Sequence, residues 1–332
     1  MLCCPSQLEY GSLNVNDNEK ISVIEYDGGV VCIDADFVRD HMVACYMMET
    51  ASGVAFIEVG SNTSAVKLMK VLQQRGWQVE DVRYVIVTHV HLDHAGGAGS
   101  LMKLLPNATL LVHPYGARHM IDPSKLEAGA RAVYGDEAFD EMYGTLIPVP
   151  GERAQIMEDG DSIEFGNRRL SFIDTPGHAR HHFCVHDSLT NGWFSGDTFG
   201  LSYREFDTEN GSFILPTTTP IQFEPEALKA SVRRMVKNQP DYVYLTHFGR
   251  VTGIQKLAED MIHGIDVYVE TAEKYKDHEH RTEKIVATLR DWLMNGLRKH
   301  GVTLSDEACL EILNYDLVLN TQGIEFWLDH RD

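Results

Sequence analysis

Basic side chains are scarce in this chain. Its 332 residues include 29 lysines and arginines against 49 aspartates and glutamates, a formal net charge of −20 with histidine neutral. So acidic a surface repels phosphate backbones unless a local basic patch overrides it, so neither nucleic acid nor an anionic membrane is an expected partner. Long apolar runs are missing as well: none reaches the roughly 20 residues that a spanning helix needs. Met1 to Asn18 is polar and has neither the basic start nor the apolar stretch of an export signal, and no apolar segment precedes Cys3 and Cys4 as a lipoprotein signal requires. The six cysteines (Cys3, Cys4, Cys32, Cys45, Cys184 and Cys309) form no C-x-x-C pair and no regular spacing. Reduced thiols in a cytoplasmic protein are therefore expected. No internal repeat and no low-complexity tract appears, and there is no G-x-S-x-G elbow to supply a serine nucleophile.

What is present reads as a sheet-based protein. Ile21 to Tyr26 and Val30 to Asp34 read as strands around the Gly28-Gly29 turn, and Val43 to Met48 with Val54 to Val59 as a hairpin. Ala65 to Gln74 has helical spacing, and Val82 to Thr88 is the short apolar run of a buried strand. Leu101 to Leu105 is read as a helix, Leu110 to His113 as a strand and Pro123 to Tyr143 as a helical excursion. Ser162 to Phe165 with Leu170 to Asp174, and His182 to His186 with Gly192 to Ser195, form two more hairpins. Pro225 to Lys237 is an amphipathic helix, and Tyr242 to Thr246 reads as the last strand. Beyond Gly253 the pattern is helical throughout, over Lys256 to Tyr275, Arg281 to Lys299 and Asp306 to Leu317. Residues 1–250 are thus expected to form an α/β domain and residues 251–332 a helical appendage.

The chemistry concentrates at strand ends. Thr88-His89-Val90-His91-Leu92-Asp93-His94 follows the buried strand and offers four metal-ligating side chains within six residues, with Gly96-Gly97 allowing a tight turn into a helix. His89 and His91, two apart, face the same way in extended backbone. Three further strands end in the same kind of residue: Thr175-Pro176-Gly177-His178, Gly196-Asp197 and Thr246-His247.

These segments resemble the metallo-β-lactamase superfamily over roughly residues 20 to 250. Its signature H-x-H-x-D-H is followed by a His, a bridging Asp and a last His on later strand ends, and here those positions are His89, His91, Asp93, His94, His178, Asp197 and His247. The resemblance implies an αββα sandwich. It also implies two divalent ions: one held by His89, His91 and His178, the other by Asp93, His94 and His247, with Asp197 bridging. Zinc is the first expectation, and iron and manganese accept the same donors. It further implies a hydrolase in which a hydroxide between the ions attacks the substrate and Asp93 orients it or carries a proton. Thr175-Pro176-Gly177-His178, with His182 four residues on, looks most like the glyoxalase II and thioesterase branch, as does the helical tail. The superfamily's Asp-Thr-Gly turn reads Glu58-Val59-Gly60 here.

Within that resemblance an ester, thioester or lactone of a small molecule is the leading substrate class. A phosphodiesterase, a persulfide dioxygenase with one iron, and a regulatory protein on the same fold are the alternatives. Tyr203, Arg204 and His182 are candidate substrate-side residues, His182 also as a donor supporting the ligands. The tail could instead serve as an interface, which makes a homodimer compatible with the sequence.

Overall fold

The computed structural model describes residues 21–218 and 221–331. The reading of Met1 to Asn18 and of Cys3 and Cys4 lies outside them. The chain runs β1 (Val23–Tyr26), β2 (Val30–Asp34), β3 (Ala44–Thr50), β4 (Gly53–Ile57), α1 (Asn62–Gln74), β5 (Val82–Ile86), α2 (Leu92–Ala95), α3 (Ala98–Leu104) and β6 (Thr109–Val112). Then come α4 (Pro114–Ile121), α5 (Ser124–Tyr134), α6 (Asp136–Met142), β7 (Ala154–Ile156), β8 (Ser162–Phe165), β9 (Arg168–Asp174), β10 (Phe183–Asp187) and β11 (Gly192–Phe194). The remainder is α7 (Pro225–Val236), β12 (Tyr242–Leu245), β13 (Gly249–Val251), α8 (Ile254–Tyr275), α9 (Arg281–His300) and α10 (Asp306–His330).

Two sheets result, β1 to β7 in sequence order and β13-β12-β11-β10-β9-β8. The two-residue period of a strand divides the apolar residues between two cores. From β2 and β3, Val30, Cys32, Ala44, Tyr46 and Met48 join Phe172, Phe183, Phe194 and Tyr244 of the other sheet in one core. Val31, Ile33, Cys45 and Met47 point the other way, into the core shared with Leu68 and Leu72 of α1. On the outer face of the second sheet α7 buries Leu228, Val232 and Met235, and Trp193 donates to the Met235 carbonyl at 3.1 Å. This is the αββα sandwich that the resemblance implied.

Some elements were not legible, the eight-residue α4 among them. β7 and β13 are three residues each, too short to show a period. So Tyr242–Leu245 is not the last strand: β13 pairs antiparallel with it, Val243 opposite Val251. α10 runs on past Leu317 to His330. Buried Asp316, Asn320 and Thr321 interrupt its apolar period. Thr321 donates to the Leu317 carbonyl within the helix, but Asn320 is met by partners far away in sequence: its Oδ1 accepts from Thr218 N at 2.7 Å, and its Nδ2 donates to the Tyr268 hydroxyl at 3.1 Å. Among the described residues no helix is long and apolar enough to cross a membrane.

The fold brings the sites of interest to one edge. β4 and β5 are parallel, as are β11 and β12. Their C-terminal ends release Glu58, the His89 loop, Asp197 and His247 together, and the end of β9 adds His178.

Candidate metal centre

All seven strand-end residues converge, in two groups. His89 Nε2 lies 2.8 Å from His91 Nδ1, which is 3.2 Å from His178 Nε2; that nitrogen is in turn 3.2 Å from Asp197 Oδ2. In the second group, Asp93 Oδ2 is 3.6 Å from His94 Nε2 and 3.5 Å from His247 Nε2. Asp197 Oδ1 is 3.3 Å from the His94 nitrogen and 3.4 Å from the His247 nitrogen. Asp197 therefore turns one oxygen to each group.

The separations in the second group fit a metal better than hydrogen bonds. Ligands about 2.0–2.2 Å from an ion at tetrahedral angles stand roughly 3.3–3.6 Å apart. His94 Nε2 and Asp197 Oδ1 are moreover buried with no hydrogen-bond partner. Buried polar atoms are rarely left so, and two of them facing each other at 3.3 Å mark a place for a cation.

The outer nitrogens of the imidazoles are held so as to present the inner ones. His178 Nδ1 lies 3.4 Å from the Thr217 carbonyl and His247 Nδ1 2.8 Å from the Met42 carbonyl. A carbonyl only accepts, so both Nδ1 atoms carry the hydrogen and both Nε2 lone pairs face the centre. Glu58 does the same for two others. His94 Nδ1 donates to its carboxylate at 3.1 Å. The Thr88 hydroxyl donates to the same carboxylate, and thus accepts from His89 Nδ1 at 3.1 Å. Thr88 N and the Thr246 hydroxyl complete the donors around Glu58, at 3.2 and 3.3 Å. The sequence showed Glu58 only as a departure from the Asp-Thr-Gly turn, with no sign of this role.

His182 lies behind the centre and not beside a substrate. It is buried, its Nε2 accepts from the backbone N–H of Asp197 at 3.2 Å, and its Nδ1 meets the Thr175 hydroxyl at 2.9 Å. Gly196, at φ +48°, permits this approach: a Cβ there would stand 2.4 Å from Thr88 Oγ1 and 2.5 Å from His182 Nε2. Tyr203 is not on a solvated loop. It is fully buried, its hydroxyl donates to Asp316 Oδ2 on α10 at 3.0 Å, and the Arg39 guanidinium lies 4.2 Å over its ring. Arg204 is occupied by its own loop, donating to the Ser202 carbonyl at 2.7 Å and pairing with Asp207 at 3.2 Å.

Charge divides the centre. Burial pushes His89, His91, His178 and His182 below the ordinary imidazole value, and neighbouring imidazoles add to the effect. Burial acts the same way on His94 and His247, but the Asp197 and Asp93 carboxylates outweigh it and raise both. Burial disfavours the charged Asp93 carboxylate, yet His94 and His247 hold it down at about 2. His91 and Asp93 are half-buried, while the other five are buried, so the centre opens over these two. Tyr134, Tyr143 and Tyr315 stand within reach of the Asp93 charge, which adds to burial in raising their hydroxyls.

The profile of the metallo-β-lactamase superfamily matches residues 38–247, a span that includes every converging residue. The chain belongs to the metallo-β-lactamase superfamily. That membership and the His/Asp cluster together imply a divalent metal. A metallo-β-lactamase fold-containing protein of Sulfurisphaera tokodaii is 28% identical over 178 residues, 52% of this chain and 63% of that protein. An N-acyl homoserine lactonase of Bacillus sp is 25% identical over 166 residues, 43% of this chain and 57% of the lactonase. An acyl-coenzyme A thioesterase of Homo sapiens is 32% identical over 123 residues, 34% of this chain and 39% of the thioesterase. The chain thus spans less than two thirds of each of these relatives. Among solved structures, a superfamily protein from Sulfolobus tokodaii superposes with a TM-score of 0.63 at 22% identity, covering 89% of this chain and 98% of that one. One from Thermus thermophilus gives 0.61 at 19%, covering 86% and 93%. Both share the fold.

Proposed function

We propose that the protein is a hydrolase that holds two divalent ions, zinc first, and opens an ester, thioester or lactone bond in a small molecule. The observation that carries this reading is Asp197, whose two oxygens are divided between two groups of ligands, with Oδ1 left without a partner. His89, His91 and His178 would hold one ion, and Asp93, His94 and His247 the other. The unsatisfied His94 Nε2 lies in the second group and so favours two ions over a single iron. Divalent ions bound there would supply Lewis acidity and would bring the pKa of water down to about 7.

The chain's own residues supply the rest. Asp93 has 24% of its side chain exposed against 6% for Asp197, which puts it at the mouth as the carboxylate placed to orient the attacking water. Tyr134, Tyr143 and Tyr315 stay protonated beside it and can donate to a substrate oxygen. His182 fixes the backbone of Asp197, and Glu58 fixes His94. The lactonase and thioesterase relatives both act on acyl bonds to oxygen or sulfur, which supports the acyl class over phosphodiesters.

The test is metal content by mass spectrometry on protein purified without added metal, beside turnover of thioesters, lactones and phosphodiesters. About two ions per chain are expected, with both ions and acyl-bond hydrolysis falling about a hundredfold in Asp197→Ala. A single iron without hydrolysis would overturn the reading in favour of a dioxygenase. No bound metal after reconstitution with zinc, iron and manganese would leave a regulatory protein.

A further inference from the structure

We propose that the C-terminal helices position a ligand of the first ion: Asn320 and Tyr268 clamp residues 216–218, and the carbonyl of Thr217 sets the ring of His178. This rests on the reading of two ions held by two groups of ligands.

His178 Nδ1 donates to the Thr217 carbonyl at 3.4 Å, which turns its Nε2 lone pair to the centre. That carbonyl and the N–H of Thr218 belong to one planar trans peptide unit, so they point in opposite directions and turn together. The Thr218 N–H donates to Asn320 Oδ1 at 2.7 Å. One peptide unit therefore has α10 on one side and a metal ligand on the other. Each of its two hydrogen bonds polarises the unit in the sense that strengthens the other. The Thr218 hydroxyl donates to the Asn320 carbonyl at 3.1 Å as well.

The preceding residue is gripped too. The Pro216 carbonyl accepts from the Tyr268 hydroxyl of α8 at 3.1 Å and from Asn320 Nδ2 at 3.3 Å. Asn320 Nδ2 also donates to the Tyr268 hydroxyl at 3.1 Å, so a single amide joins both helices to both flanks of Thr217. Helix α8 comes close because Gly264 has no side chain: a Cβ there would stand 2.7 Å from Pro216 Cδ. A glycine weakens a helix interior, and here its bareness admits the segment that bears the Thr217 carbonyl.

Anchoring the tail alone would not call for these groups. Asn320 and Tyr268 are 1% exposed, and an apolar residue at such a place avoids the cost of burying polar atoms. The amide is matched at both of its ends by the backbone that orients His178, so Asn320 and Tyr268 are positioning residues.

The experiment uses the full chain, with Asn320→Ala, Tyr268→Phe and, as a control, Leu289→Ala, which opens the buried face of α9 away from this clamp. Melting temperatures confirm folding, and Tyr268→Phe, which removes one hydroxyl, carries the test if Asn320→Ala does not fold. Zinc affinity is read by chelator competition, and the step lost in His178→Ala identifies the first ion. Asn320→Ala is expected to weaken that step about tenfold and the other less than twofold, with a smaller loss at the same step in Tyr268→Phe. A second readout needs no metal. In metal-free protein carrying nitrogen-15 histidine, the His178 ring is expected to hold its hydrogen on Nδ1 in the wild type. In Asn320→Ala it is expected to shift towards Nε2, which lies 3.2 Å from Asp197 Oδ2. Equal losses at both steps, a loss matched by Leu289→Ala, or an unchanged His178 tautomer overturns the proposal. Fewer than two ions on the wild type removes the two-ion reading, while the tautomer still decides whether the tail sets His178.

Discussion

The two halves of the centre hold their protons differently. His89, His91 and His178 are crowded by one another and buried, so they sit neutral with lone pairs ready. His94 and His247 face the carboxylates of Asp93 and Asp197, which raise the proton affinity of both. A metal ligand must be unprotonated, so protons compete with an ion more strongly in the second half than in the first. The carboxylates that give the second half its negative charge are thus what make its loading sensitive to pH.

Acid is the strongest way to separate the halves. Protons compete where the imidazole values are raised, so affinity in the second half falls as pH falls, while the depressed values of the first half keep protons away until lower pH. Dialysis of the loaded protein at successively lower pH, followed by metal analysis, is expected to show a step from about two ions per chain to about one before the last is lost. Loss of both in one step would erase the distinction.

Glu58 gives a smaller effect of the same kind. It touches His94 directly and His89 only through Thr88. Glu58→Gln keeps the size but replaces one of the two accepting oxygens with a donor, so the amide cannot accept from all of His94, Thr88 and Thr246. A loss of about 10- to 100-fold in metal affinity is expected, larger for the second ion than the first, as read by competition with a chelator. Equal losses at both ions would place the role of Glu58 in the loop as a whole.

The contrast also shows what the sequence could reveal. The converging residues were legible because each follows an apolar strand, and strands that share a sheet edge bring their ends together. Glu58 ends a strand in the same way, but a lone glutamate in a turn carries no pattern of its own. Tyr203 was out of reach for a different reason: its burial depends on Asp316, 113 residues away on a helix whose period is broken by that same aspartate. Arg204, one residue on, looks alike in sequence, yet its guanidinium folds back on its own loop. Local pattern reports the strands and what ends them; it does not report which distant helix supplies a partner.

That distant partner yields the finest test, a comparison of the helical roof with the ligand floor. In the floor, carboxylates are held charged by imidazoles; in the roof, Asp316 is raised to about 6 by burial, against the opposing pull of His247, Tyr203 and Arg39 and with some help from Asp197. A carboxyl with a folded value above its unfolded one stabilises the protein fully below the unfolded value of about 3.9, and that contribution disappears as pH rises through about 6. At pH 7.5 the native state therefore carries a buried charge, at a cost of up to about 3 kcal/mol. Asp316→Asn removes the charge and keeps an acceptor for the Tyr203 hydroxyl. Metal-free D316N is expected to melt up to about 5 °C above the wild type at pH 7.5, with the gap closing towards pH 4. A gap that stays constant across that range would mean that the Asp316 carboxyl does not change charge there, and that the roof is as fixed in protonation as the Asp93 floor beneath it.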